Sequence, residues 1–150
     1  KGILGDTVPL ELNAKELVHR NNKNSELTVY GYTPMMVSVQ CVQKTMDHCN
    51  HACVQYVLKD RYQKEFRGVC SCEFCYNTIY NTLPTSLLKE KEKAEKLGVK
   101  AYRLSFTIET QQETEKIVRA FVDVYLRGQK PDGQMQTEET TKGHFQRGVE

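Results

Sequence analysis

Cysteine is the residue type whose placement in this sequence points most directly to chemistry. The chain of 150 residues contains six cysteines, and all of them fall between positions 41 and 75. The opening residues lack the pattern of an export signal, so we expect a reducing cytosolic environment in which thiols stay free to bind metals. Scattered structural cysteines would seldom bunch in this way. The bunching therefore predicts a metal or iron–sulfur site.

Two pairs of cysteines have spacings that suit such a site. Cys72 and Cys75 form a CxxC motif, in which two thiolates reach one tetrahedral centre from a tight turn. Together with Cys41 and Cys49 they offer four soft ligands, which suit zinc or a [4Fe–4S] cluster. If the ion is zinc, a thiolate could be replaced by one of the two histidines among the cysteines, His48 and His51. The competing interpretation is that these are buried free cysteines that only pack.

The segments on either side of the cysteines predict an α/β domain. Capping-box patterns indicate helix starts at Asn13 and at Thr110. Strands are expected over 27–30 and 99–108, with a helix over 86–97 between the cysteines and the second strand. Strands that alternate with helices in this way favour parallel βαβ units.

The cysteine-bearing stretch, 34–81, lacks a strong helix or strand pattern apart from one short strand at 56–58. So long a stretch is unusual for a plain loop in a compact domain, and we therefore predict a cysteine-rich insertion held together by a metal. The remainder of 1–128 forms the α/β domain, and 129–150 is a flexible segment that ends in a GHFxRG motif. Two strands with their helices do not close a barrel, so we expect the rest of the domain upstream.

Charge and hydropathy identify no partner. Lys and Arg total 21 against 19 for Asp and Glu, and both signs are mixed along the chain. No apolar run approaches the roughly 20 residues that span a bilayer. We therefore expect a soluble, cytoplasmic protein without a membrane partner. The sequence also lacks a serine nucleophile elbow, an HExxH motif and a glycine-rich phosphate loop, so motifs assign no catalytic residue.

Several short stretches, in a fixed order along nearly the whole chain, resemble the collagenase-like peptidase family U32. They are ELTVYGYTPMM at 26–36, Cys41, KDR at 59–61, CYN at 75–77, IYNTLP at 79–84, RLSF at 103–106, and GHF with RG at 143–148. The resemblance implies a partial TIM-like (β/α) barrel, with the amino-terminal half of the barrel expected upstream of Lys1. It also implies an enzyme, a peptidase of unassigned catalytic type that acts on peptide or collagen-like protein substrates. A fragment of such a barrel should be inactive alone.

The same resemblance carries a second expectation. Other members of the wider family hold a four-cysteine [4Fe–4S] cluster and hydroxylate RNA bases or a quinone precursor without oxygen, which makes RNA an alternative partner. A third possibility is a zinc-stabilised binding module with no catalysis. Carried over residue by residue, the resemblance gives the ligands as Cys41, Cys49, Cys72 and Cys75, with Cys53 and Cys70 as additions to the usual pattern.

Six further polar residues are candidates for substrate binding or support: Asp60, Arg61, Asn77, Asn81, His144 and Arg147. The first two follow a predicted strand, where a charge pair could lie over a barrel mouth. The asparagines stand beside the cysteines and could orient ligands or substrate, while the last two belong to the GHFxRG motif. Each also has a structural interpretation, as a loop anchor, a partner of loop backbone or a plain surface residue.

Overall fold

The computed structural model describes residues 5–46, 49–131 and 139–147. Its strands and longer helices, in chain order, are β1 (Asp6–Thr7), α1 (Ala14–Val18), β2 (Ser25–Gly31), β3 (Pro34–Ser38), α2 (Val42–Thr45), β4 (Val54–Lys59), β5 (Glu65–Ser71), β6 (Tyr76–Tyr80), β7 (Thr85–Ser86), α3 (Lys91–Lys96), β8 (Ala101–Ser105) and α4 (Gln111–Phe121). They fall into two compact units. The first comprises Lys1–Gly31 and Pro84–Glu150, and the second is Tyr32–Leu83. The expected insertion, 34–81, lies within the second unit.

The first unit is built on β2, which pairs in parallel with β1 and β8 and antiparallel with β7. The strands predicted at 27–30 and 99–108 are confirmed as β2 and β8, and their parallel pairing is the one expected of a βαβ unit. Both predicted capping boxes are also confirmed. Asn13 accepts hydrogen bonds from backbone amides in the first turn of α1, and Thr110 does the same for α4.

The core of the first unit lies between β2 and α4. Val29 of β2 and Val124, in the π-helical turn Val122–Leu126 that extends α4, are almost fully buried. The centroid of the Tyr30 ring lies 5.5 Å from the ring centroid of Phe106 and 6.1 Å from that of Phe121. Each fully buried large apolar side chain contributes about 1.5–3 kcal/mol, so this layer stabilises the unit through many contacts.

The segment 129–150 is described in part, since 132–138 and 148–150 lie outside the described residues. The part that is described, 139–147, packs on the first unit. Thr141 exchanges backbone hydrogen bonds with Pro84 and Ser86, at 2.9 and 2.8 Å, and the Phe145 side chain is buried. The final glycine of the GHFxRG motif, Gly148, lies outside the described residues.

The second unit is a four-stranded antiparallel sheet in the order β3-β6-β5-β4. The strand expected at 56–58 lies within β4, but the expectation that the rest of 34–81 lacks regular strands is wrong. The face of β5 and β6 that carries Phe66 and Ile79 also carries Gly68, Cys70 and Asn77, which are small or polar. The period-two apolar alternation that marks a strand is therefore interrupted in the sequence there.

The described residues thus form a mixed α/β fold with two separate sheets and contain no closed barrel. Among these same residues, no helix is both long and apolar enough to cross a membrane.

Candidate metal centre

One face of the second unit's sheet positions the cysteine cluster. Cys70 of β5 stands directly opposite Asn77 of β6, so both side chains point to the same face. The Cys70 side chain is fully buried, and its Sγ lies 3.5 Å from Sγ of Cys41, the residue before α2. At the end of β5 the chain enters a 3₁₀ turn, Cys72–Phe74, and leaves it at Cys75 in the left-handed conformation, with φ 53°. The CxxC motif therefore lies on a tight turn beside this face.

Three side chains of the cluster converge as metal ligands would. The ligand atoms of Cys49, His51 and Cys72 all lie within 4.8 Å of one another. Bonds of about 2.0–2.3 Å to one tetrahedral ion would separate ligand atoms by roughly 3.5 Å, so a small inward movement completes the geometry. This group could hold a metal ion. It contains two of the four predicted thiolate ligands and one of the two histidines; the other, His48, lies outside the described residues.

The remaining two predicted ligands also lie near Cys72. Burial raises the pKa of the Cys72 thiol, and the neighbouring thiols of Cys49, Cys75 and Cys41 raise it further. The thiols of Cys41, Cys49 and Cys75 thus all interact electrostatically with Cys72, while Cys49 alone among them belongs with Cys72 to the group whose ligand atoms lie within 4.8 Å of one another. Cys70 lies beside Cys41. Burial raises the pKa of the Cys70 thiol to about 11, and its contact with Cys41 is the second cause of that shift. All six cysteines are free thiols.

Backbone hydrogen bonds lower the pKa of the Cys41 thiol, in contrast to the raised pKa values of Cys70 and Cys72. Amides at the start of α2, that of Lys44 foremost, hold the pKa of Cys41 below its ordinary value. A site that gathers several thiols can carry more than one thiolate only if a cation offsets their mutual repulsion. Metal binding supplies that charge and releases the thiol protons, so the cluster as a whole is suited to a metal.

Three of the predicted support residues make local contacts within their own loops, two with the backbone and one with a neighbouring ring. Asp60 Oδ1 accepts hydrogen bonds from the backbone amides of Tyr62 and Lys64, at 2.8 and 2.9 Å, and so closes the β4–β5 hairpin. The Arg61 guanidinium lies over the Tyr62 ring, 4.7 Å from its centroid. Asn81 Oδ1 accepts from the next backbone amide, that of Thr82, at 2.8 Å. These contacts match the loop-anchor interpretation of each residue.

The other three predicted support residues are divided between the two units. Asn77 lies beside the cysteines and is almost fully buried, and its Nδ2 donates to the carbonyl of Gln40 at 2.5 Å. His144 and Arg147 belong to the first unit, where His144 lies in the 3₁₀ turn Gly143–Phe145 and both side chains are exposed.

Tyr56 is a residue of this site that the sequence did not single out. Its ring lies across Gly68 on the neighbouring strand, and a Cβ atom at Gly68 would be only 2.3 Å from Tyr56 Cζ. Burial raises the pKa of the Tyr56 hydroxyl, and the thiols of Cys70 and Cys41 add to that shift. An isolated glycine within a strand often marks a close approach of this kind, and that signal could have directed attention to Tyr56.

Comparison with known proteins identifies no relative: no protein-family model, curated protein or solved structure matches the chain.

Proposed function

We propose that the second unit holds a [4Fe–4S] cluster through Cys41, Cys49, Cys72 and Cys75. The observation that carries this proposal is the approach of the Cys49 and Cys72 thiols to each other, within 4.8 Å, beside the turn that ends at Cys75. The same four residues are the ligands that the resemblance to the U32 family implies. A [4Fe–4S] cluster takes four cysteine thiolates, and when bound it would supply electron transfer.

We further propose that the chain is part of an enzyme with a TIM-like (β/α) barrel, and that the first unit forms a part of that barrel. The parallel pairing of β2 with β8, with α3 between them along the chain, supports this proposal, because strands and helices alternate in the same way in such a barrel. The resemblance favours a peptidase, while the cysteines favour the oxygen-independent hydroxylation of RNA bases or a quinone precursor. The full-length protein and its Cys72→Ser variant should be assayed for proteolysis of gelatin. If the variant still cleaves gelatin, the cluster has no catalytic part in proteolysis.

A single zinc ion is the second candidate for the centre, and His51 is the observation that favours it. A histidine within 4.8 Å of two thiols is a usual ligand for zinc, whereas a [4Fe–4S] cluster takes four thiolates. Cys49, His51 and Cys72 would supply three ligands, and Cys75 or Cys41 the fourth. The second unit would then be a zinc-stabilised binding module without catalysis.

Anaerobic purification of the protein and three variants separates these candidates. The [4Fe–4S] proposal predicts a brown protein that absorbs at about 400 nm, and it predicts that Cys72→Ser abolishes both iron and colour. The matched variant Cys53→Ser alters an exposed cysteine of the same segment outside the proposed set, and it should keep both. His51→Ala should also keep the iron. A colourless protein with one zinc, lost in His51→Ala, would establish the zinc candidate instead.

A further inference from the structure

Cys41 and Cys70 are two buried thiols that lie in contact, although they are 29 positions apart along the chain. Their Sγ atoms are separated by 3.5 Å. Cys70 is not one of the four proposed metal ligands, so the metal centre leaves this contact unexplained. A disulfide bond has an S–S length of about 2.05 Å, and an approach of roughly 1.5 Å would therefore join the two sulfurs.

Hydrogen bonds on both sides of the Cys41 backbone hold it beside Cys70. Asn77 stands directly opposite Cys70 on β6, and its Nδ2 donates to the carbonyl of Gln40 at 2.5 Å. The carbonyl of Cys41 accepts from the backbone amide and from the hydroxyl of Thr45, both at 3.0 Å. The strand pairing that positions Cys70 thus also positions the residue before Cys41. Two groups held together in this way react with each other far faster than with groups on other molecules.

We propose that Cys41 and Cys70 form a reversible disulfide when the metal site is empty, and that this bond keeps the site from being refilled until it is reduced. The second half of the proposal rests on the proposed function, because it takes Cys41 as a metal ligand. A sulfur in a disulfide is no longer a thiolate, so Cys41 cannot bind a metal while it is linked. A Cys41 thiolate that is bound to a metal is in turn unavailable for the disulfide. Metal and disulfide therefore exclude each other.

Hydrogen peroxide is an oxidant small enough to reach this pair. Cys41 is 5 % exposed and Cys70 is 0 % exposed, so the reaction begins at Cys41. Its thiolate attacks one peroxide oxygen, the O–O bond breaks, and a sulfenic acid forms while the other oxygen leaves as hydroxide and takes up the thiol proton to become water. The Cys70 thiol then attacks the Cys41 sulfur, the S–S bond forms, and the sulfenic hydroxyl leaves with the Cys70 proton as a second water. The two thiols lose two electrons in all, and the peroxide gains them.

Peptide mapping of the full chain tests the disulfide itself. The anaerobically purified protein is treated with a chelator, exposed to an equimolar amount of hydrogen peroxide, alkylated and digested. Tandem mass spectrometry should find Cys41 linked to Cys70, and dithiothreitol should remove the link by thiol–disulfide exchange. Cys70→Ser and Cys70→Ala should both lose the link. The matched variant Cys53→Ser alters an exposed cysteine of the same segment and should keep it.

Zinc uptake by the same samples tests the effect on the metal site. The linked chain should bind zinc at least about tenfold more weakly than the reduced chain, and reduction followed by removal of the reductant should restore binding. Cys49 and Cys72 are the competing pair, because their ligand atoms lie within 4.8 Å of each other. The proposal is overturned if peroxide links Cys49 to Cys72 instead, if it forms no link between Cys41 and Cys70, or if the linked chain binds zinc as tightly as the reduced one.

These measurements also separate the disulfide from the metal centre. If the reduced chain binds neither iron nor zinc, the proposed function fails and the second half of this proposal fails with it. The peptide map still decides the first half, because detection of the linked cysteines does not depend on a bound metal.

Discussion

Asp60 offers the sharpest test of whether a predicted site residue acts through structure or through its charge. In the β4–β5 hairpin its Oδ1 accepts two backbone hydrogen bonds, from Tyr62 at 2.8 Å and from Lys64 at 2.9 Å. Asp60→Ala removes both. At about 0.5–1.5 kcal/mol for each bond, and with amides that can turn to water in this exposed turn, the loss should be about 1–2 kcal/mol.

Amide hydrogen exchange localises this effect to the hairpin. A loss of about 1–2 kcal/mol should speed exchange in β4 and β5 by roughly five- to thirtyfold, with little change in β2 or β8. Asp60→Asn is the matched variant, because it keeps the acceptor oxygen and the shape while removing the charge, and it should restore protection to within a few-fold. If Asp60→Ala leaves exchange unchanged, or if Asp60→Asn is as damaging as Asp60→Ala, the anchoring role is refuted.

Two further predictions concern the first unit. The buried side chain of Asn22 donates to two backbone carbonyls, one in α1 at 2.7 Å and one just after α3 at 3.1 Å, so Asn22→Ala should lower the free energy of unfolding by about 2–4 kcal/mol. The same substitution at exposed Asn21 should cost less than about 0.5 kcal/mol, and equal losses at both positions would contradict this. Hydrogen bonds from Lys142, and to a smaller extent from Lys93, lower the pKa of the Glu90 carboxyl from its ordinary value of 4.5. The stability that these contacts contribute is therefore fully present above the ordinary pKa and is lost as the pH falls through the lower pKa of the folded state. In urea unfolding across this range, Glu90→Gln should flatten the acid loss of stability, and an unchanged pH profile would count against the assignment.

The first unit shows which parts of the fold are predictable from sequence. Capping boxes at Asn13 and Thr110 are local patterns, in which side chain and backbone partner lie three residues apart, so they could be identified without tertiary information. The signal for β2 is equally local, since Thr28, Val29 and Tyr30 are β-branched or aromatic.

The second unit shows where such prediction fails. Its buried residues include Cys41, Cys70 and Asn77, so the usual apolar signal is replaced by thiols and an amide. The cysteine positions predicted a metal site, but the approach of His51 to Cys49 and Cys72 depends on the folding of separate segments onto one face. Tyr56 was missed for the same reason, because its position beside the cysteines comes from the pairing of its strand with that of Gly68.

Native mass spectrometry of the anaerobically purified protein tests the metal centre most directly. A [4Fe–4S] cluster on four thiolates predicts a mass excess of four irons and four sulfides, retained in Cys53→Ser and absent from Cys72→Ser. An unaltered protein whose native mass equals that of the bare chain would contradict the central claim. It would leave the six cysteines as free thiols, three of them buried in the second unit and three exposed.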